Sequence, residues 1–219
     1  MKRSYDAEMM DDFSIQDERI DKALHELKII NKFLGGIATT KSALKHFAQS
    51  VNEELKILDI GSGSSDNLVA AKNKYPNLQI LSIDKNLRAL SSSENFLLKV
   101  NSDAFELPFK NESHDIIHAA LFLHHFTEEQ IQILLKEFLR TAARGIIIND
   151  LQRSYLALLG IKILTVLFSK SEMVKNDGPL SVKRGFTKKD FLQILANAGV
   201  ANFIIKRKWA FRWMVVIKK

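Results

Sequence analysis

The feature that most constrains this chain is residues 56–67, KILDIGSGSSDN, a short apolar run that ends in an acid and leads into a glycine-rich turn. The run predicts a buried strand, and residues 64–67 predict the start of a helix. Gly61 and Gly63 leave the backbone open to a ligand, and the N–H groups of a helix start attract electron-rich atoms. A nucleotide-binding cradle is therefore predicted. Asp66 stands where the dinucleotide-binding pattern needs a third glycine. A pyrophosphate is therefore a poor fit to the predicted cradle.

A second strand follows at the spacing that a nucleotide-binding unit requires. Residues 66–75 predict a helix ended by Pro76, and residues 78–83 predict a strand that closes on Asp84. Asp84 lies 84 − 63 = 21 residues beyond Gly63. At this separation a carboxylate at the tip of the second strand can bind the hydroxyl groups of a ribose.

The rest of the chain continues this alternation of strands and helices. Strands that alternate with helices predict an α/β fold with an open, doubly wound parallel sheet, and the last two strands predict an antiparallel hairpin at its edge. Ligands of such sheets bind beyond the carboxyl ends of the strands. Five polar residues at predicted strand ends should therefore collect in one place: Asp59, Asp84, Asp103, His124 and Asp150. The further strands are predicted at residues 96–100, 114–120, 145–150, 203–206 and 209–217, and the further helices at 87–92, 128–143 and 188–198.

Two helices precede the first strand and cannot belong to the sheet. Residues 1–13 predict a loose segment, Ser14 is expected to cap a helix that runs to residue 33, and a second helix is expected at about residues 40–49. We interpret residues 1–51 as a helical lid over the mouth of the site, with a plain packing role as the alternative. Residues 52–219 then form the main domain.

An insertion is predicted at about residues 151–186 of the main domain. Its first part, residues 156–168, is almost entirely apolar but is thirteen residues long, which is too short to cross a bilayer. It forms either a core helix or an apolar wall of the substrate pocket. Residues 170–184 contain Gly178 and Pro179 and predict a mobile loop.

Composition narrows the classes of function. The chain has no cysteine, which excludes disulfides, thiolate metal sites and cysteine nucleophiles and suits the cytoplasm. The N-terminus lacks the apolar core of a secretory signal. Within the net charge of +7, residues 151–219 hold fourteen Lys and Arg against three acids, a balance of 14 − 3 = +11. Such a surface suits nucleic acid, an anionic membrane or an acidic substrate, and a solvated basic face is the alternative.

Four segments in order, ILDIGSGS, LSIDKN, NSDAFELPF and HDIIHAALFLHHF, resemble the motifs of class I S-adenosylmethionine-dependent methyltransferases over roughly residues 52–219. The resemblance implies a Rossmann-like seven-stranded sheet of order 3-2-1-4-5-7-6 with an antiparallel last strand, and S-adenosylmethionine as cofactor. It places the methionine moiety at Asp59, Gly61 and Gly63, the ribose at Asp84, the adenine at Asp103 and Ala104, and the open side of the cofactor at Ala120. Ser62 and Lys85 complete the predicted cofactor site.

Further segments, EMMDD followed by ALHELKIINKFLGG and then NDLQRS and NDGPLSVKRGF, resemble bacterial small-molecule methyltransferases associated with type III polyketide synthase or quinone-type pathways. Members of that subfamily usually have histidine where this chain has Gln152, so the resemblance implies no role for this position. Together with the apolar residues 156–168 and the N-terminal helices, which suit the walls of an apolar pocket, it predicts a small, lipophilic or aromatic methyl acceptor and, most simply, O-methylation.

Methyl transfer to a hydroxyl needs close positioning and removal of a proton. His124 and His125 are the candidate bases, since histidine changes its charge near neutral pH, and packing is the alternative role for the pair. Asn149, Asp150 and Arg153 are the candidate substrate-binding residues. Alternatively, Asp150 caps the following helix and pairs with Arg153. No pair of acids has metal-site spacing, so no metal is predicted.

Two other functions stay open. A nucleic-acid methyltransferase would use the basic C-terminal third to bind the phosphates of RNA. Residues 120–123, ALFL, differ from the Asn/Asp-Pro-Pro-aromatic motif typical of base-modifying enzymes of this fold, so nucleic acid is the less favoured partner. A cofactor-binding partner protein without catalysis is the other alternative. No transmembrane segment is predicted, peripheral membrane contact is left open, and the sequence predicts no oligomeric state.

Overall fold

The computed structural model describes residues 1–219 and contains one seven-stranded sheet flanked by eight α-helices. The strands are β1 (Leu55–Ile60), β2 (Leu78–Asp84), β3 (Leu98–Asn101), β4 (His114–Ala120), β5 (Ala142–Leu151), β6 (Phe203–Lys208) and β7 (Arg212–Lys218). The helices are α1 (Glu18–Phe33), α2 (Gly36–Leu44), α3 (Asp66–Ala71), α4 (Leu87–Ser91), α5 (Glu128–Thr141), α6 (Tyr155–Phe168), α7 (Glu172–Arg184) and α8 (Lys188–Asn197).

The strand order is β3-β2-β1-β4-β5-β7-β6. The first five strands pair in parallel, and β7 pairs antiparallel with both β5 and β6. The predicted α/β fold, the Rossmann-like strand order and the antiparallel last strand are therefore confirmed. In such a sheet the carboxyl ends of β1 to β5 meet at one edge, which is where the predicted site residues were placed.

Each face of the sheet carries its own apolar cluster. Neighbouring residues of β1 point to opposite faces: Ile57 packs with Leu44 and Leu68, whereas Leu58 packs with Leu134 and Phe138. The central strands are buried on both sides, which explains why they have continuous rather than alternating apolar sequences.

The predicted loop at residues 170–184 is wrong, because this segment forms α7. Ser171 caps the helix, and Met173 and Val174 are buried in its first turn. Gly178 lets α6 pack closely, since a Cβ there would lie 3.2 Å from the side chain of Ile161. Pro179 lacks the N–H that would bond to the carbonyl of Lys175, and Lys175 is an exposed residue.

The prediction that residues 1–13 are loose is also wrong. Arg3 donates hydrogen bonds to the carbonyls of Arg184 and Phe126, and the backbone N–H groups of Met9 and Met10 bond to the carboxylate of Asp177. The segment is thus bonded to α7 and to the turn after β4. A short 3₁₀ turn at Met9–Asp11 lies within it.

The two N-terminal helices differ from prediction in their bounds. α1 begins at Glu18 with Asp17 as its cap, and the predicted cap Ser14 instead bonds to Asp12. α2 begins at Gly36 because Gly35 adopts a left-handed conformation with φ of 75° and turns the chain within one residue. No helix is both long enough and apolar enough to span a bilayer.

Candidate active site

A cavity of about 1100 Å³ lies beyond the carboxyl ends of β1, β2, β3 and β4. Residues of α1, α6 and α7 and of the turn between β6 and β7 enclose it from the other sides. All nine residues that the sequence predicted for cofactor binding line this cavity: Asp59, Gly61, Ser62, Gly63, Asp84, Lys85, Asp103, Ala104 and Ala120. The sheet thus brings residues from four separate segments to one place.

The turn after β1 forms a backbone cradle at the cavity wall. Gly61 and Gly63 have φ values of 59° and 49°, in the left-handed region that glycine adopts most readily. A Cβ at Gly61 would clash with the ring of Phe122. The hydroxyl oxygen of Ser62 is buried and has no hydrogen-bond partner. The Cβ-free turn and this unsatisfied hydroxyl both fit a polar ligand, such as the carboxylate and amine groups of a cofactor that contains an amino acid.

Asp84 joins the cradle to the end of β2. One carboxylate oxygen accepts from the N–H of Gly63 and the other from the N–H of Asn86, each at 2.8 Å. Burial raises the pKa of Asp84 above its ordinary value, although the two backbone hydrogen bonds act in the opposite direction. A carboxylate keeps further lone pairs when both oxygens already accept one bond, so Asp84 can still accept from a ribose.

Asp103 and Lys85 pair with each other at the next strand end. The Lys85 ammonium lies 2.8 Å from one Asp103 oxygen, and the other oxygen accepts from the N–H of Phe105. Burial opposes ionisation, but the hydrogen bonds from Lys85 and Phe105 and the charge of Lys85 together outweigh it, so the pKa of Asp103 is lowered. Ala104 is buried beside the pair. The adenine contact predicted for Asp103 and Ala104 stays a prediction.

His124 and His125 lie on a 3₁₀ turn, Leu123–His125, that follows β4. The Nδ1 atom of His124 lies 2.7 Å from a carboxylate oxygen of Asp150, and both side chains are buried. The Nδ1 atom of His125 lies 2.6 Å from a carboxylate oxygen of Asp11. An ionised carboxylate only accepts, so each Nδ1 carries a proton and each Nε2 keeps its lone pair when the ring is neutral. The two ring centroids are 4.3 Å apart.

Three further residues of this cluster were not predicted as site residues: Glu8, Asp11 and Arg184. Glu8 is 5% exposed, and burial raises its pKa to about 7 against the opposing charges of His125 and Arg184. Arg184 donates to the carbonyls of His124 and His125 and to Asp11. The segments EMMDD and NDGPLSVKRGF contain these residues, so the second resemblance was the available signal.

The three predicted substrate-binding residues do not reach the cavity. The buried amide of Asn149 donates to Gly36 and Thr40, and Asp150 is occupied by His124. Arg153 pairs with Asp190 at 2.9 Å. The structure corrects the prediction that they bind substrate, because each side chain is already satisfied by the protein.

The alternative arrangement of these residues is wrong as well. Asp150 neither caps α6 nor pairs with Arg153, since Ser154 is the cap of that helix. Arg153 also donates to the carbonyls of Met1 and Gly185, which holds the N-terminus near the end of α7.

A buried polar network below the cavity was also missed. Nδ1 of His118 lies 2.7 Å from Asp59, and its Nε2 lies 3.0 Å from the hydroxyl of Thr40. Thr40 accepts from Asn149, whose amide oxygen lies 3.4 Å from a guanidinium nitrogen of Arg212. Burial lowers the pKa of Arg212 to about 10. The network joins α2 to β1, β4, β5 and β7, so it fixes the N-terminal helices relative to the cradle.

Comparison with known proteins agrees with this geometry. Residues 57–145 match the family described as "Methyltransferase domain". No curated protein matches the sequence. Among solved structures, human N-acetylserotonin methyltransferase in complex with S-adenosylmethionine is 19% identical with a TM-score of 0.66, over 94% of this chain and 57% of that chain. Magnesium protoporphyrin IX methyltransferase from Synechocystis with bound S-adenosylhomocysteine is 15% identical with a TM-score of 0.61, over 94% of this chain and 98% of that chain.

A Nostoc punctiforme protein proposed to be an O-methyltransferase is 16% identical with a TM-score of 0.65, over 92% of this chain and 60% of that chain. The chain thus spans less than two thirds of the Nostoc and human proteins. At these identities the likeness shows the fold. Residues 57–145 therefore match the methyltransferase domain family, and the chain has the Rossmann-like fold of class I S-adenosylmethionine-dependent methyltransferases.

Proposed function

We propose that this chain transfers a methyl group from S-adenosylmethionine to an oxygen atom of a small, lipophilic or aromatic molecule. One observation carries the proposal: the glycine cradle and the two carboxylate-backed histidines line the same cavity. The cradle accounts for the cofactor, and the histidines provide groups that act on an acceptor hydroxyl.

The cofactor supplies a methyl group on a sulfonium, which moves to the acceptor oxygen as the S–C bond breaks and its electron pair stays on sulfur. The residues of the cradle hold the donor, with Ser62 available to its polar end and Asp84 to its ribose. Positioning donor and acceptor in one enclosed cavity supplies a large part of the rate, because the reacting atoms then meet without an entropic search.

His124 and His125 promote loss of the acceptor proton. The Asp150 and Asp11 carboxylates hold the two rings in the tautomer that has its proton on Nδ1. The lone pair of each Nε2 atom is then free to interact with the acceptor hydroxyl. The side chain of His125 is 23% exposed and that of His124 is 3% exposed, so both are largely shielded from bulk water.

The lining of the cavity favours an apolar acceptor. α1 contributes Leu24, Leu27 and Ile30, and α6 contributes Ile161 and Leu164. Residues 1–51 act as a lid in this proposal, and the insertion at about 151–186 forms the opposite wall. Two proteins of the same fold, the N-acetylserotonin and magnesium protoporphyrin IX methyltransferases, are named for acceptors with aromatic rings.

The proposal is tested with tritiated S-adenosylmethionine and a panel of phenols, quinols and aromatic carboxylic acids. We expect label in at least one small molecule. We also expect His124→Gln and His125→Gln to lower the rate by about 10²-fold or more with unchanged affinity for S-adenosylhomocysteine. His114→Gln, whose residue lies at the far end of β4, is the matched control.

The outcomes separate the three functions. Label that enters RNA and is released by ribonuclease would replace the small-molecule proposal with the nucleic-acid alternative. Cofactor binding without transfer to any acceptor, together with a stable complex with another protein, would support the non-catalytic alternative.

Peripheral contact with a membrane is a further part of the proposal. α6 lines the cavity with one side and exposes Leu156, Ile163, Val166 and Phe168 on the other, each more than half exposed. The helix contains no acid, and Lys162 would face anionic headgroups. We expect the chain to float with vesicles that contain phosphatidylglycerol. Recovery of wild type and Val166→Glu in the same soluble fraction would contradict membrane contact.

A further inference from the structure

Ligand-type atoms of Glu8, His124 and His125 all lie within 4.8 Å of one another beside the cavity. The three residues come from two distant parts of the chain: the turn after β4 carries both histidines, and the N-terminal segment carries Glu8. Two imidazoles and one carboxylate form a donor set that divalent transition metals bind.

The second layer of contacts has the form found around metal-bound histidines. Asp150 accepts from Nδ1 of His124, and Asp11 accepts from Nδ1 of His125. In metal sites the ligating histidine donates its other ring N–H to a carboxylate, which fixes the ring and raises its basicity. Both histidines of this cluster have that partner.

Glu8 is the observation that separates a cation site from a simple pair of bases. Glu8 is buried in the wall of the cavity, with only 5% of the residue exposed. Its Oε1 atom has no hydrogen-bond partner. That oxygen lies 3.7 Å from Nε2 of His124, which is too long for a hydrogen bond. Two bonds of about 2.1 Å that meet at a tetrahedral angle separate their ligand atoms by about 3.4 Å, so one ion can bridge this gap.

The surrounding charges are consistent with a cation. Three carboxylates, those of Glu8, Asp11 and Asp150, face one guanidinium, that of Arg184, so the cluster is anionic when both imidazoles are neutral. Nε of Arg184 lies 3.8 Å from Glu8, but the guanidinium hydrogen-bonds to backbone carbonyls and to Asp11 instead. Arg184 therefore leaves Oε1 of Glu8 unsatisfied.

We propose that Glu8, His124 and His125 bind a divalent transition cation of the Zn²⁺ type, with its open positions toward the cavity. Such a cation would hold an acceptor oxygen next to the cofactor cradle and lower the pKa of that hydroxyl. This role rests on the proposed function and describes how the histidine pair promotes loss of the acceptor proton. The binding of the cation itself does not depend on that function.

Co²⁺ titration of the full chain, freed of metal with EDTA, tests the site. We expect one Co²⁺ per chain with visible absorption bands of nitrogen and oxygen ligation, and competition by Zn²⁺. Glu8→Gln and His124→Gln should lower Co²⁺ affinity at least tenfold, and Asp150→Asn should lower it by about 10- to 100-fold. His114→Gln should bind as wild type does.

Calorimetry with S-adenosylhomocysteine on the same samples keeps this test separate from the proposed function. Normal S-adenosylhomocysteine binding without a Co²⁺ spectrum in the folded wild-type chain would overturn the cation site and leave the methyltransferase proposal standing. The same Co²⁺ affinity in His124→Gln and wild type would also overturn it. Co²⁺ binding without S-adenosylhomocysteine binding would instead reject the proposed function. Circular dichroism identifies any variant that fails to fold. In that case the Co²⁺ absorption spectrum of the wild-type chain decides whether the cation site exists.

Discussion

The carboxylate of Asp84 accepts a hydrogen bond of 2.8 Å from the backbone N–H of Gly63. This bond joins the glycine turn after β1 to the end of β2, so the two motifs hold one another in place. Hydrogen bonds to a charged group are about twice as strong as neutral ones. Loss of the charge at Asp84 should therefore disturb the cradle as well as remove an acceptor for the ribose.

Asp84→Asn should weaken S-adenosylhomocysteine binding by about 10- to 100-fold, since a hydrogen bond to a charged group contributes about 1.5–3 kcal/mol. Isothermal titration calorimetry measures the effect. Asp115→Asn is the matched control, because Asp115 lies at the opposite end of the sheet and pairs with Arg144. Equal affinities in both folded variants would remove Asp84 from the cofactor site.

The affinity for S-adenosylhomocysteine should fall as the pH is lowered through the raised pKa of Asp84, because the protonated carboxyl loses acceptor capacity. The stability of the ligand-free fold should change in the opposite direction. A carboxyl whose pKa is raised by folding stabilises the fold most below its unfolded pKa, and this contribution is lost as the pH rises through the folded pKa. Binding measured between about pH 4 and pH 7 should show a step in wild type that is absent from Asp84→Asn. Parallel curves for the two proteins would contradict the assignment.

Gly61→Ala should destabilise the fold by about 2 kcal/mol or more. The left-handed conformation alone costs an alanine about 1–2 kcal/mol, and the new Cβ also clashes with the ring of Phe122. Gly160→Ala is the contrasting control: its Cβ would have no neighbour within 4 Å, and alanine should stabilise α6 by about 0.5–1 kcal/mol. Urea denaturation measures the stability of both variants. Similar unfolding midpoints would contradict this prediction and show that the turn at Gly61 relaxes to accommodate a Cβ.

His118→Leu should cost about 1–3 kcal/mol, because it leaves the buried carboxylate of Asp59 and the hydroxyl of Thr40 without their partner. His25→Leu on the exposed surface of α1 should change stability by less than about 0.5 kcal/mol. If thermal unfolding finds the two variants equally stable, the network below the cavity does not hold α2 in place.

The sheet and the cradle were readable from the sequence because their signals are local. The central strands are nearly continuous apolar runs, the turn after the first of them holds Gly61 and Gly63, and Asp84 follows this turn at a fixed spacing. Parallel strands connected by helices bring their carboxyl ends to one edge, so the positions of Asp59 and Asp103 followed without further information.

α7 was missed because local rules misled the prediction. Gly178 and Pro179 together predict a turn, but Gly178 is where α6 packs closely, and Pro179 lacks the N–H that would bond to Lys175, an exposed residue. Packing against two neighbouring helices outweighs this local preference.

The sequence alone determined the fold class and the cofactor edge, since each depends on periodicity and on spacings within a few tens of residues, and the resemblance to class I methyltransferases supplied the strand order. Only the tertiary structure decided what surrounds the two histidines. Asp11 meets His125 across 114 residues of chain, and Asp11 meets Arg184 across 173. Such contacts leave no periodic pattern, because they depend on where an irregular N-terminal segment packs after the sheet has formed. For the same reason Asn149 and Arg153, at a strand end where ligands commonly bind, proved to be satisfied within the protein.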